Sequence, residues 1–90
     1  MSVDLSGLIT KEDKEQAQHD AKCAVVRRER DSLLEAVAGR RDRHRDEIEL
    51  GIDPTEPLEP LLEYIQNLRD VPQQSGFPDE VDWPEKPDDP

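Results

Sequence analysis

Apolar residues fall along this chain in one strong pattern and one weak one. The strong pattern is Leu58, Leu61, Leu62, Ile65 and Leu68. Their spacing of i, i+3, i+4, i+7 and i+10 draws one face of a helix. Pro60 fits the first turn, where a missing N–H costs little, so the helix begins near 57–59. Pro72 disfavours the α region at Val71, so it ends near Asp70. The weak pattern lies upstream. From Lys11 to Glu49 there is no proline and one glycine, Gly39, and most residues are good helix formers. Ala17, Ala21, Ala24, Val25, Leu33, Leu34, Val37 and Ile48 give only a narrow apolar stripe. The spacing predicts a helix over about 11–49, continuous or broken at Gly39, with Thr10 as N-cap, Asp13 near a capping-box position and Gly51 as the stop.

These elements make an all-α fold: a long helix and a shorter one, paired as an antiparallel hairpin over 11–71. Leu33, Leu34, Val37 and Ile48 are expected to meet the Leu/Ile face of the second helix. A flexible N-terminus is expected over 1–10 and an extended, Pro-rich acidic tail over 72–90. The short second helix cannot cover the first. Residues 11–28 are therefore left exposed or open to self-association into a homo-oligomer.

Charge sharpens this division. Residues 1–50 carry 10 basic and 12 acidic residues and no proline; residues 51–90 carry 2 basic and 11 acidic residues and all 8 prolines. The chain of 90 residues has a net charge of -11 and only 3% aromatic residues. Chains this small bury only about 60–65% of their unfolded surface, which argues against a buried catalytic cleft. Strong negative charge is repelled by nucleic acid and anionic lipid, so the expected partner is a protein, with no nucleic acid and no membrane involved. No apolar run is long enough to span a bilayer, and the first ten residues do not read as a signal peptide. A single cysteine, Cys23, points to a reducing cytoplasm.

Candidate chemistry is sparse. There is no glycine-rich phosphate loop, paired-cysteine site or nucleophile elbow, so no enzyme, metal or cofactor is expected. His19 and His44 read as solvated helix-surface residues and Cys23 as a small residue on a packing face. The basic run Arg40, Arg41, Arg43, Arg45 is interleaved with Asp42, Asp46, Glu47 and Glu49, the pattern of a salt-bridged helix surface. Arg27, Arg28 and Arg30 read the same way beside Glu29 and Asp31. The tail differs, because Phe77 and Trp83, each followed by proline, sit in its acidic stretch. Odd spacing puts Phe77, Val81 and Trp83 on one side of an extended chain. They suit anchors of a linear motif, and they equally suit a segment folded back over the thin helical core.

From Tyr64 the sequence runs through Gln66, Leu68, Arg69, Asp70, Val71, Pro72 and Gln74 to Gly76-Phe77-Pro78, then Trp83-Pro84 and Pro87. This resembles the C-terminal signature of the phage tail assembly chaperone (tail fibre assembly) family. Arg27, Arg30, Asp31, Leu33 and Leu34 resemble the family's upstream Arg/Leu helix, so the likeness covers about 27–87. It implies a non-enzymatic assembly chaperone or adaptor in the host cell cytoplasm, or associated with the virion, that binds a phage tail component stoichiometrically. On that footing Tyr64, Phe77, Val81 and Trp83 are the expected anchors, Trp83 foremost, with Arg69 and Asp70 fixing the turn after the second helix. The competing role for Trp83 is packing on Leu58, Leu61 or Leu62. An alternative function is an acidic inhibitor of a host protein, such as a DNA mimic, which would need carboxylates in rows on a rigid surface.

Overall fold

A computed structural model describes residues 10–90; the flexible N-terminus expected over 1–10 falls, Thr10 apart, outside the described residues. The fold is all helical. Helix α1 spans Lys11–Leu50 and helix α2 spans Leu58–Arg69, and a 3₁₀ turn covers Val71–Gln73.

The predicted ends of α1 follow from local chemistry. Asp13 N–H donates to Thr10 Oγ1 at 3.1 Å, and Thr10 N–H donates back to Asp13 Oδ2 at 3.2 Å. This reciprocal pair satisfies two of the donors a helix start leaves open. At the other end Gly51 adopts φ 72°, a left-handed conformation that a side chain would oppose. Gly51 and Ile52 donate to the carbonyls of Ile48 and Glu47 and close the helix. Gly39 does not interrupt α1, because one glycine among 40 helical residues costs only about 1 kcal/mol.

The core is small and lies where α2 crosses α1. Val37, Leu61, Tyr64, Ile65 and Leu68 form it, with Leu33, Leu34 and Trp83 packed against its edge and Val71 fully buried beyond it. Leu33, Leu34 and Val37 thus meet α2 as the apolar pattern requires. Ile48 does not and is 56% exposed. Towards its C-terminus the stripe that α1 turns inward continues through Arg40, His44 and Glu47, all half-buried. Glu47 occupies the inward position there and binds Thr55 through both its amide (3.1 Å) and its hydroxyl (2.7 Å). Ile48, one position round, falls on the flank. Leu62, also expected on the buried face, is 36% exposed.

At 1.5 Å per residue α1 is about 60 Å long and α2 about 18 Å, so most of the 74 Å long axis of the molecule is α1. Residues 11–22 are exposed on every side. The segment after α2 is extended only from Val81. Over 71–80 it winds through the 3₁₀ turn and a run of tight turns, short enough to tolerate Pro72 and Pro78 without helical hydrogen bonds.

Candidate partner interface

Chain 71–90 leaves the end of α2, turns, and returns along the hairpin. Three attachments set its path. The first is internal. Gln74 Nε2 donates to the Asp82 carbonyl and Asp82 N–H donates to Gln74 Oε1, each at 2.8 Å, which closes the loop 74–82. Within it Glu80 N–H donates to the Gly76 carbonyl at 2.8 Å. A Cβ on Gly76 would stand 2.7 Å from the Glu80 carbonyl oxygen, so glycine is required here by close backbone approach. The Phe77–Pro78 peptide is cis, and Pro78 is buried.

The second attachment holds this loop on α1. The Arg27 guanidinium lies over the Phe77 ring, 5.7 Å from its centroid, within cation–π range. Lys22 Nζ meets Asp79 Oδ1 at 2.9 Å. The Lys22 ammonium, by hydrogen bond and charge, holds the Asp79 carboxyl below its ordinary range. Both partners are exposed, so this pair contributes little on its own.

The third attachment is Arg40. Its Nε and Nη2 donate to the two carboxylate oxygens of Glu56 at 2.9 and 2.6 Å. Nη1 donates to the Pro87 carbonyl at 3.0 Å and Nη2 to that of Asp88 at 2.7 Å; Asp89 Oδ1 stands 3.4 Å away. One planar fork therefore joins α1, the loop between the helices and the returning tail. The Arg40 and Glu56 side chains are 12% and 8% exposed. The guanidinium hydrogen bond pushes the Glu56 carboxyl down, and Glu56 in turn raises Arg40. Arg43 adds a second cation 3.2 Å from Glu56. Glu47 is also held low, chiefly by the Thr55 hydroxyl and amide.

The residues expected to carry binding are thus divided. Tyr64 is 4% exposed and part of the core. Trp83 packs on that core and keeps part of its surface in solvent. Phe77 and Val81 are half-buried on the docked loop. Asp70 stands at the turn: it accepts from Gln66 Nε2 at 3.1 Å, and its carbonyl accepts from Gln73 N–H at 2.8 Å. The Arg69 guanidinium makes no hydrogen bond among those found in the described residues and lines a hollow on the opposite flank, with Leu34, Ala38 and Ile65. The fold-back and the display of aromatic groups are therefore not exclusive. The tail is seated on the hairpin with Phe77, Val81 and Trp83 each half-buried and Asp79, Glu80 and Asp82 exposed, and the turns over 77–80 replace the extended spacing expected to put the three apolar residues on one side.

Arg40, read from the sequence only as part of a salt-bridged helix surface, and Glu56, which no sequence pattern singled out, together place this surface. A signal existed: Leu33, Val37 and Arg40 are spaced i, i+4 and i+7, so Arg40 continues the buried stripe. Its polarity masked that position in the apolar count. Cys23 Sγ sits 3.6 Å from His19 Nε2, and no group of three or more metal-ligating side chains occurs among the described residues. No helix among the described residues is long and apolar enough to cross a membrane. The mimic alternative gains no support, since Glu47, Glu56 and Asp79 are engaged in internal contacts. A family model described as phage tail assembly chaperone protein matches residues 23–88. No curated protein and no solved structure matches the chain.

Proposed function

The chain belongs to the phage tail assembly chaperone protein family, and we propose that it serves tail assembly in the host cell by stoichiometric, non-catalytic binding of one tail component, fibre or other. The client surface is the outer face of the seated tail. Phe77, Val81 and the exposed part of Trp83 make the apolar contact. Tyr64 supports Trp83 from beneath through the core, and Asp70 frames the turn that delivers the segment, while Arg69, on the opposite flank, takes no part in this face. Asp79, Glu80 and Asp82 steer a client of basic character, acting mainly on association rate and its salt dependence.

One observation carries this reading. The segment richest in aromatic residues and in acid is held as a defined surface by Arg40, Arg27 and the Gln74–Asp82 pair. A preordered loop loses less entropy on docking than a free one. The exposed first half of α1, with Val25 57% in solvent, is the surface through which copies associate.

The test is co-purification of the full chain with the tail proteins of its own phage, comparing the natural sequence with the double substitution Phe77→Ala and Val81→Ala. The expected result is one captured tail protein, whose affinity falls about 30-fold or more in the variant, equivalent to about 2 kcal/mol. Equal capture by a variant that melts at the same temperature would refute the assignment of this face.

A further inference from the structure

The flank of the hairpin that the tail leaves open has a chemistry unlike the rest of the chain. On α2, Pro60, Tyr64 and Asn67 face the returning tail. Leu58, Ile65 and Arg69 lie roughly 140–200° further round the helix, at 3.6 residues per turn. On that side α1 and α2 border a groove of about 410 Å³, floored by Leu34, Ala38 and Ile65 and walled by Arg41, Arg45 and Arg69, with Asp42 the one carboxylate among them. A second hollow of about 380 Å³ shares Arg41 and Arg45 with it and is edged by Ile48 and Leu58, with His44 and Glu49.

Three arginines in one groove stand out on a chain of net charge -11. All three are exposed. Arg41 and Arg69 form no ion pair among the described residues. Arg45 has only long contacts, 3.6 Å to Asp42 and 4.0 Å to Asp46. Their neighbours Arg40 and Arg43 are, by contrast, committed to Glu56. Of the five exposed large apolar side chains among the described residues, all but Val25 lie at the same end of the molecule: Ile48 at 56%, Leu50 at 74%, Ile52 at 53% and Leu62 at 36%.

We propose that this groove docks an acidic amphipathic helix of a partner protein, laid along α1 from the level of Leu34 to that of Ile48. That length is 14 residues of α1, about 21 Å or four turns. The apolar stripe of the incoming helix covers the floor, and carboxylates on either side of the stripe meet Arg41, Arg45 and Arg69. The chain's own acidic tail cannot be the occupant, since Arg40 and the core hold it on the other flank. A second copy joined by a two-fold axis through the groove would set these arginines against the same arginines. The groove is independent of the tail face, so either reading can fail without the other.

The test uses the full chain and a synthetic 16-residue helical peptide with leucine along one stripe and glutamate elsewhere. The same peptide with lysine for glutamate is the control. Binding is followed by fluorescence anisotropy and by amide chemical shifts of the labelled protein. The expected result is that the glutamate peptide binds, moves amides within 34–48 and 58–69, and leaves 76–83 unmoved. Its affinity falls by about tenfold or more in the double substitution Arg41→Glu and Arg69→Glu with helicity unchanged, and stays the same in Phe77→Ala. No binding at millimolar peptide, equal binding of the lysine peptide, or shifts confined to the tail overturns the proposal. So does self-association of the chain that Arg41→Glu abolishes, or equal binding of a 16-nucleotide single strand of DNA.

Discussion

Replacing Arg40 with alanine removes a group that joins α1, the interhelical loop and the tail at once. Four well-formed hydrogen bonds are lost, two to Glu56 and one each to the Pro87 and Asp88 carbonyls. The larger loss is what remains. Glu56, 8% exposed, keeps its charge with only Arg43 at 3.2 Å for company. Removing one partner of a buried pair costs about 3–5 kcal/mol, and because Arg43 stays, the low end applies, about 3 kcal/mol. For a domain of this size 1 kcal/mol moves Tm by about 4–8 °C, so Arg40→Ala should lower Tm by about 12–24 °C. Thermal unfolding followed by circular dichroism measures this. Arg41→Ala is the control on the same helix turn and should change stability by less than about 0.5 kcal/mol. A cycle with Glu56→Gln isolates the pair, and a coupling of about 2 kcal/mol is expected. An Arg40→Ala shift below about 4 °C, or a coupling near zero, would refute the idea that this fork holds the tail down.

Other outcomes follow from the same geometry. Glu56, Glu47 and Asp79 all have folded-state values below their ordinary 4.5, 4.5 and 3.8. Their contribution is complete above those values and is lost as pH falls through the lowered ones. Tm should hold from pH 7 to about 5 and fall below about pH 4.5, less steeply in Arg40→Ala. Trp83→Ala should cost about 2–3 kcal/mol, less than a fully buried Trp because part of the ring is in water, measured by denaturant unfolding. If Tm drops while client binding per folded molecule is unchanged, Trp83 is structural only. Two glycines should respond with opposite signs under the same assay. Gly39→Ala, with open space around it, should stabilise by about 0.5–1 kcal/mol. Gly76→Ala, with backbone 2.7 Å from its Cβ, should destabilise by about 1–3 kcal/mol.

Much of the architecture was legible in the residues themselves. The ends of both helices rest on interactions that are local in sequence: the Thr10–Asp13 box, the left-handed Gly51, Pro60 in a first turn and Pro72 after a last one. The face of α2 was readable because five large apolar residues repeat with helical period, and the motif-rich run from Tyr64 to Pro87 carried the family resemblance. The inner face of α1 was not readable in the same way. It is built from Leu33 and Val37 and then from Arg40, His44 and Glu47, and a count of apolar positions cannot see a charged residue that is buried because its partner lies 16 positions away. Ile48 was misplaced for that reason. The tail needed the tertiary structure as well. Its sequence allowed either an aromatic motif or a folded-back cover, since both require the same Phe, Trp and Pro residues. Which one forms depends on whether a complementary surface is within reach. Lys22, Arg27 and Arg40 lie along α1 already, but Glu56 and the edge of the core join them as that surface only once α2 has packed on α1, and that packing is set by contacts between distant residues rather than by propensity along the chain.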